Sequence, residues 1–375
     1  MSHLSGKSRV LIRAAEYDSS MDKVVEEAFD SFKIDVAGKK VLVKPNLLSA
    51  RAPGKGVTTH PSVVAAVIKS LEKRRAAGIV VGDNSGMTGY GENERVAAKT
   101  GILDVAGKYY RNLGQKPVKA RLHNPFAPEA AVSGEIFECD VLVSLPRLKT
   151  HSLTTITCAV KNSYGFLLGA EKARLHRVSK GAAAFAKTVV DVWALRRPDL
   201  VICDAVTAMQ GNGPSSRDIV HYGYVLASDD SVALDSVASR IMGLAPADVL
   251  TTAEAARRGL GKMLPADIEI DGALCPIEGF KLPSNFARGG IVNFLSRFAG
   301  SLVVSCPHPD TNVCLRCGLC IEHCPVQAVA LSPYPTVDHG KCIRCYCCLE
   351  FCPHDAMKLA NRVLFLRALA SLRRK

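Results

Sequence analysis

Short apolar runs alternate with helical patterns through the N-terminal part of the chain, from position 1 to position 280. The pattern predicts buried strands in RVLIRA, KKVLVKPN, GIVVGDNSG, CDVLVSLP, DLVICDAV and GYVLASDD. Apolar residues recur at helical spacing in PSVVAAVIKSLEKRRA, which opens with a proline, and in SVALDSVASRIMG. Strands that alternate with helices favour an α/β domain, in which a mainly parallel sheet is covered by helices on both faces.

Polar side chains follow these strands at the point where each strand ends. In a parallel sheet this edge forms the ligand crevice, so we predict a binding site there. The strand-end residues that can transfer a proton or bind a metal ion are the candidate catalytic groups: His151, Lys149, Asp83 and Asp204. The alternative for Asp83 and Asp204 is that each carboxylate only caps the next helix.

A second set of polar residues suits an anion. It combines strand-end residues, a histidine before a proline-started helix, cations of the segment AVKNSYGFLLGAEKARLHR and glycines of the turn MQGNGP. A helix N-terminus and a glycine-rich turn both present backbone N–H groups to anions. The predicted anion-binding residues are Lys44, Asn46, His60, Lys161, Asn162, His176, Gly211 and Gly213. The alternative is that the cations form a solvated face.

Two common nucleotide motifs are missing from the sequence. It contains no Walker loop, and no glycine fingerprint of the dinucleotide-binding type follows a strand. ATP hydrolysis by the Walker machinery is therefore not expected.

The cysteines near the C-terminus form two copies of one motif. The pattern C-x2-C-x2-C-x3-C-P begins at Cys314 and again at Cys342, and each cysteine of the second copy keeps the same offset from its counterpart in the first. In this pattern three thiolates wrap one cubane cluster, and the fourth, before the proline, ligates the other cluster. We therefore predict two [4Fe–4S] clusters. The ligands are Cys314, Cys317, Cys320 and Cys352 for cluster 1, and Cys342, Cys345, Cys348 and Cys324 for cluster 2.

The cluster assignment has two alternatives, and it leaves two cysteines near the motif without a role. The eight cysteines would otherwise form a pair of zinc sites or remain free thiols. Cys347 breaks the spacing and Cys306 precedes the repeated motif, so both are predicted to be non-ligands.

The duplicated motif resembles the bacterial two-cluster ferredoxins over about residues 306–360. Upstream, the segments KPNLL, THP, GDNSG, LPRLKTH, KNSYG, MQGNGP and SDDSVALD occur in the order typical of the family catalogued as "domain of unknown function 362". The chain resembles this family along nearly its whole length, and many members look like it in carrying a two-cluster ferredoxin module. The resemblance implies that the strand-end residues form the signature face of the family.

The domain organisation follows from these assignments. We predict an α/β domain at 1–280, a linker with a docking helix at 281–305, a small α+β ferredoxin-like domain at 306–360 and a basic amphipathic helix at 361–375. The tail helix is predicted to pack on the ferredoxin-like domain. The alternatives are contact with an anionic membrane surface or with an acidic partner.

Charge and composition bear on the binding partners and on the cellular location of the protein. The formal net charge is +13, but no lysine- and arginine-rich tract or aromatic-interleaved basic stripe indicates nucleic acid. The N-terminus lacks the apolar core of a signal peptide, and no apolar run reaches the length of a membrane span. We expect a cytoplasmic protein, in which 14 cysteines indicate metal or redox chemistry.

Three functions fit these features. The favoured hypothesis is an oxidoreductase whose clusters pass electrons from a soluble protein donor to an anionic substrate or cofactor in the crevice. The alternatives are an electron carrier or assembly factor that recognises a partner protein, and a metal-handling protein that binds a divalent ion at the strand ends. An enclosed crevice with one cluster facing it distinguishes the enzyme from the carrier.

Overall fold

The computed structural model describes residues 6–86, 92–179, 181–284, 286 and 303–363. In this part of the chain the strands are β1 (Ser8–Ala14), β2 (Lys40–Pro45), β3 (Gly78–Val81), β4 (Pro117–Arg121), β5 (Glu129–Ser133), β6 (Val141–Leu145), β7 (Arg147–His151), β8 (Thr155–Thr157), β9 (Leu200–Met209), β10 (Ile219–Ser228), β11 (Ile268–Asp271), β12 (Val303–Pro309), β13 (Val329–Leu331), β14 (Pro335–Val337) and β15 (Met357–Val363). The helices are α1 (Ser19–Ser31), α2 (Pro61–Lys73), α3 (Glu92–Lys99), α4 (Ile102–Ala106), α5 (Glu135–Glu138), α6 (Ala159–Asn162), α7 (Gly169–Val178), α8 (Ala182–Leu195), α9 (Ser231–Ile241), α10 (Leu250–Arg257), α11 (Leu319–Glu322) and α12 (Cys347–Glu350).

The large sheet has the strand order β11-β1-β10-β9-β6-β2-β3. Strands β3, β2, β6 and β9 are parallel, whereas β10 runs antiparallel to β9 and to β1. Strand β7 follows β6 and pairs with β9 in parallel, and the short β8 folds back on it. The prediction of a mainly parallel sheet is confirmed, so the carboxyl ends of β2, β3, β6 and β9 meet at one edge.

Alternate strand residues enter different cores. In β2, Val41 and Val43 pack with the apolar faces of α1 and α2, whereas Leu42 packs on the opposite side with Phe185 and Trp193 of α8. This period of two explains why apolar runs without polar interruption form the central strands, because both faces of the sheet are covered by helices.

The C-terminal cysteine region forms a small domain whose described strands pair with one another and not with the large sheet. β12 pairs with β15 and β13 pairs with β14, both antiparallel; along the chain α11 follows β12 and α12 follows β14. Residues 303–305, the end of the predicted linker, belong to β12, and β15 continues to Val363. Of the predicted linker and docking helix, positions 281–284 and 286 are also described, and the rest lies outside the described residues. The predicted tail helix lies outside them from position 364 onward. Within the described ranges, no helix has the length and apolar character that a membrane span requires.

A buried carboxylate holds the short helix α6 in place. Asp235 of α9, only 1% exposed, accepts hydrogen bonds from the backbone N–H groups of Ala159 (2.6 Å) and Val160 (3.1 Å). Both donors belong to the first turn of α6, where they have no partner within the helix. α9 therefore fixes the start of the helix that carries Lys161 and Asn162.

We predict that Asp235→Ala lowers the free energy of unfolding by about 2 kcal/mol or more, because two buried N–H groups lose their acceptor. The matched change at the exposed Asp248 is expected to cost less than about 0.5 kcal/mol. Urea denaturation of anaerobically purified protein checks both values. Equal effects of the two substitutions would contradict this role of Asp235.

Candidate functional site

A crevice lies at the carboxyl ends of the parallel strands, where the α/β domain meets α12 of the C-terminal domain. Its volume is about 60 Å³, which suits a ligand of a few heavy atoms. The predicted site residues that line it are Asn46, Asp83, Lys149, His151, Lys161, Asn162 and His176. Lys172 and Glu350 also line it and were outside the predicted set.

Lys44 and Asp83 form a buried ion pair under the crevice. Lys44 Nζ lies 2.8 Å from Asp83 Oδ1, and the two side chains are 0% and 2% exposed. The other carboxylate oxygen of Asp83 accepts the backbone N–H of Leu47 at 2.8 Å. Burial lowers the pKa of Lys44, and the charge of Asp83 opposes this change. Asp83 therefore serves first as a counter-ion.

A chain of amides forms one wall. Lys149 Nζ donates to Asn46 Oδ1 (2.8 Å) and to the Val57 carbonyl (2.7 Å). Asn46 Nδ2 donates to Asn162 Oδ1 (3.1 Å), and Asn162 Nδ2 donates to Ser144 Oγ (2.9 Å). Burial lowers the pKa of Lys149 well below its usual value, because amide and carbonyl dipoles only partly replace water around the ammonium.

His151 joins the two domains through Glu350. Its Nδ1 accepts the backbone N–H groups of Leu153 (3.0 Å) and Thr154 (3.4 Å), which assigns the proton to Nε2. Nε2 lies 3.1 Å from Glu350 Oε1, although the angles do not make a well-aligned hydrogen bond. Burial lowers the pKa of His151 to about 4. The imidazole is therefore neutral near pH 7.

Glu350 keeps its negative charge despite being buried. Burial alone would raise the pKa of Glu350, but the contact with His151 and the positive charge of Lys161 lower it to about 2. The cationic crevice thus determines the charge state of a carboxylate that belongs to the other domain.

Two further basic side chains, Lys172 and His176, line the crevice. Lys172 Nζ donates to the backbone carbonyls of Asn84 and Ser85, and burial lowers the pKa of Lys172 to about 7. His176 stacks on Phe185 with ring centroids 4.2 Å apart, and burial lowers its pKa to about 3. Near neutral pH, Lys172 is partly charged and His176 is neutral.

Asp204 and His60 belong to a different polar cluster. Asp204 pairs with Arg147, both being at most 1% exposed, and accepts hydrogen bonds from the Tyr17 hydroxyl and the His60 backbone N–H, each at 2.9 Å. His60 Nδ1 accepts the N–H of Ser62, and the His60 ring stacks on Tyr17 at 3.7 Å. Neither Asp204 nor His60 lines the crevice.

The glycines of the MQGNGP turn donate their backbone N–H groups within the protein. Gly211 N–H donates to the Lys281 carbonyl at 2.6 Å. Gly213 N–H donates to the Gly211 carbonyl at 3.0 Å and also approaches Thr150 Oγ1 at 3.3 Å. The structure therefore does not bring these two glycines to the crevice, although the adjacent Pro214 lines it.

The eight motif cysteines surround two separate cavities. Cys314, Cys317, Cys320 and Cys352 line one, and Cys324, Cys342, Cys345 and Cys348 line the other. Among the described residues, no three His, Cys, Asp or Glu side chains converge on one ion. A cubane does not need such convergence, because its four thiolates bind four different irons.

The backbone repeats along with the cysteines. Left-handed conformations occur at Arg316 and Arg344, both with φ of 56°, and at Gln327 (51°) and Asp355 (50°), so that equivalent positions of the two motifs share them. Backbone N–H groups also donate to the fourth cysteine of each motif: Ala328 to Cys324 Sγ and Ala356 to Cys352 Sγ, both at 3.1 Å. Such N–H···S bonds stabilise thiolate ligands, so both sites fit an iron–sulfur cluster.

The two cysteine cavities differ in their surroundings. Cys317 is exposed and the neighbouring Leu315 is 68% exposed, so the cavity of cluster 1 lies near solvent. Cys347 and Cys348, both buried, line the cavity of cluster 2 from α12, and Glu350 of the same helix lines the crevice with Lys161. The cavity of cluster 2 therefore lies next to the crevice.

Direct contacts attach the C-terminal domain at this place. Ser215 Oγ donates to the Glu350 carbonyl (3.0 Å), and Arg51 donates to the Cys352 carbonyl (3.0 Å). Arg217 pairs with Asp355 at 2.9 Å. The last residue of α12 and the residues that follow it are thus held against the α/β domain.

Sequence reasoning missed Glu350, and the repeat shows why. Its counterpart at the equivalent position of the first motif is Glu322, which is exposed. The two glutamates occupy the same motif position, so spacing gives no reason to choose one.

Comparison with known proteins agrees with both parts of the chain. A family model described as "Domain of unknown function (DUF362)" matches residues 41–240. A model described as "4Fe-4S binding domain" matches residues 307–330 and 335–358. These two matches confirm both predicted resemblances and assign two [4Fe–4S] clusters to the chain.

A curated relative and two solved structures are also similar. The relative is a thylakoid-associated protein of Synechocystis sp., 32% identical over 315 residues, which covers 78% of this chain and 96% of the relative. The lactate racemase apoprotein from Thermoanaerobacterium thermosaccharolyticum has a TM-score of 0.41 and 13% identity, covering 64% of this chain and 58% of that one. A Thermotoga maritima protein has a TM-score of 0.37 and 11% identity, covering 56% and 55%. Likenesses this weak support no statement about function.

We predict that Gly165→Ala disrupts the crevice floor. A Cβ at Gly165 would clash with Asp83 Oδ1 and would lie 2.7 Å from Lys44 Nζ, so the buried pair would have to separate. The expected loss is about 3 kcal/mol of unfolding free energy.

Gly54→Ala is the matched control, because no atom lies within 4 Å of a Cβ built there. Thermal unfolding followed by circular dichroism checks both variants. A melting temperature for Gly165→Ala equal to that of Gly54→Ala would show that the pair tolerates the added methyl group.

Proposed function

Because the chain belongs to the DUF362 family and carries a two-cluster ferredoxin domain, we propose that it is an iron–sulfur oxidoreductase that reduces a small anionic substrate in the crevice. The single observation that carries this proposal is the position of α12. Glu350 of this helix lines the crevice, while Cys347 and Cys348 of the same helix line the cavity of cluster 2. One element thus connects the redox centre to the binding site.

Each cluster would supply one electron, and the side chains of the crevice bind the substrate, orient it and donate a proton to it. We assign Cys314, Cys317, Cys320 and Cys352 to cluster 1, and Cys324, Cys342, Cys345 and Cys348 to cluster 2. The exposure around Cys317 favours entry of electrons from a soluble protein donor at cluster 1, because transfer needs close approach. Cluster 2, held by Cys324, Cys342, Cys345 and Cys348, would supply electrons next to the crevice that Glu350 of α12 lines.

Several side chains are assigned to the substrate. Lys149 and Lys161 attract an anion, and the amides of Asn46 and Asn162 orient it. Lys172, whose pKa burial lowers to about 7, is suited to donate a proton as electrons arrive. The proposed role of His151 is to hold Glu350, because its Nδ1 is already occupied by backbone N–H groups.

Two alternatives have less support. A pure electron carrier or assembly factor needs no polar crevice beside cluster 2, although the exposed side of cluster 1 suits such a role equally well. Metal handling at the strand ends is disfavoured because Asp83 pairs with Lys44 and Asp204 with Arg147. A carboxylate that already has a cation partner is a poor ligand for a second cation.

For location, we propose a cytoplasmic protein with peripheral membrane contact through the basic tail at 361–375. The sequence of this tail, NRVLFLRALASLRRK, and the relative's description as thylakoid-associated support the proposal. Binding to vesicles with and without anionic lipid tests it.

The decisive experiment follows cluster reoxidation. Photoreduced protein is mixed anaerobically with a panel of small carboxylates and other oxyanions, while visible absorbance reports the clusters and mass spectrometry identifies products. Lys149→Met is expected to slow substrate-driven reoxidation at least tenfold with both clusters retained, whereas Lys119→Met, at an exposed position of β4, leaves it unchanged. Reoxidation by partner proteins alone would favour the carrier.

We also predict that Cys324→Ser damages cluster 2 and spares cluster 1, because Cys324 lines the cavity formed by Cys342, Cys345 and Cys348. Electron paramagnetic resonance of the reduced variant is expected to lose the cluster 2 signal, with iron content falling from about eight atoms per chain toward four. Loss of the cluster 1 signal instead would show that Cys324 ligates the cluster of its own motif, contrary to our assignment.

A further inference from the structure

We propose that Lys161 and His176 form a subsite for a small monocarboxylate, and that occupancy of this subsite is linked to the oxidation state of cluster 2. The inference rests on the proposed function, because it assumes a cluster beside the crevice. It adds the chemical class of the ligand and a thermodynamic coupling between ligand and electron.

The cations of the crevice differ in how far they are already compensated. Lys44 has Asp83 as its counter-ion, Lys149 donates to an amide oxygen and a backbone carbonyl, and Lys172 donates to two backbone carbonyls. Lys161 has no oxygen acceptor among the described residues, and its ammonium lies 5.5 Å from the centroid of the Tyr164 ring. Lys161 is therefore the lysine for which a bound ligand would supply the missing oxygen acceptor.

Neutral polar groups beside it also lack partners. His176 is 5% exposed and its Nδ1 has no hydrogen-bond partner in the described structure. Thr157, 3% exposed, likewise has an unpartnered hydroxyl. Both residues line the crevice with Lys161. Buried polar atoms are rarely left unpaired, so this set indicates a missing ligand with oxygen acceptors.

Size and charge select among oxyanions. A volume of about 60 Å³ admits a few heavy atoms only. Glu350, which also lines the crevice, would repel a second negative charge on the ligand. A monoanion such as acetate or formate therefore fits better than inorganic phosphate, which is largely dianionic above neutral pH.

The coupling to cluster 2 follows from proximity. Lys161 and Glu350 of α12 line the same crevice, and Cys347 and Cys348 of α12 line the cavity of cluster 2. One-electron reduction adds a negative charge to that cluster and makes or breaks no bond. The added charge repels a bound carboxylate, so reduction weakens binding.

The reciprocal effect has a functional consequence. A bound carboxylate must lower the reduction potential of cluster 2 by the same coupling free energy. Cluster 2 then becomes a stronger reductant only when the subsite is filled. The loop of cluster 1, Cys314–Cys320, does not line the crevice and is expected to respond much less.

Two measurements on the full-length holoprotein test the proposal. Calorimetric titration with acetate is expected to show one site that weakens at least tenfold in Lys161→Gln and is largely recovered in Lys161→Arg, with Lys119→Gln as the unchanged control. Potentiometric titration followed by electron paramagnetic resonance is expected to show that acetate lowers the midpoint reduction potential of cluster 2. The midpoint potential of cluster 1 is expected to stay unchanged. Retained cluster signals in each variant report correct folding.

The proposal is overturned if neither acetate nor formate binds, if phosphate binds more tightly than both, if Lys161→Gln binds as the wild type does, or if acetate leaves the midpoint of cluster 2 unchanged. Its failure is separable from that of the proposed function. Reoxidation of the clusters by a larger substrate without monocarboxylate binding refutes only the subsite. Redox-linked acetate binding without any substrate-driven reoxidation refutes only the enzyme.

Discussion

Uncompensated positive charge in a buried space is the constraint on which the site depends. Among the described residues, four lysines lie in or directly under the crevice, whereas two carboxylates, those of Asp83 and Glu350, face them. A buried ammonium without a partner is costly, so each one must find a carboxylate, a carbonyl or a ligand, or lose its proton. The lowered lysine pKa values express this competition.

The same constraint explains how the two domains fit together. Only one of the two carboxylates belongs to the α/β domain, and Glu350 arrives with the ferredoxin-like domain. Its contact with His151 places α12 against the strand ends, and the hydrogen bonds of Ser215 to the Glu350 carbonyl and of Arg51 to the Cys352 carbonyl reinforce that placement. In the proposed function, electrostatic compensation and the delivery of electrons thus use one short helix.

Glycine and amide residues keep the polar groups close. Gly165 allows the backbone to approach the Lys44–Asp83 pair, and Asn162, placed by α6, bridges Ser144 and Asn46. α6 is itself held by Asp235 of the neighbouring helix α9. A carboxylate of the SDDSVALD segment therefore stabilises the crevice indirectly, which the position of this residue in the sequence does not suggest.

By itself, the sequence determined the features that depend on local spacing: the alternation of strands and helices, the family, and the two repeats that hold four cysteines each. Only the tertiary structure decided which charges face one another. Asp83 and Asp204 are both predicted at strand ends, yet Asp83 follows β3 and lines the crevice, whereas Asp204 lies within β9 and pairs with Arg147. Glu322 and Glu350 share a motif position, yet only Glu350 meets His151, which belongs to a distant part of the sequence. The reason is physical: a cluster motif or a strand is specified by neighbours within a few residues, whereas the partner of a buried charge is set by packing between distant segments.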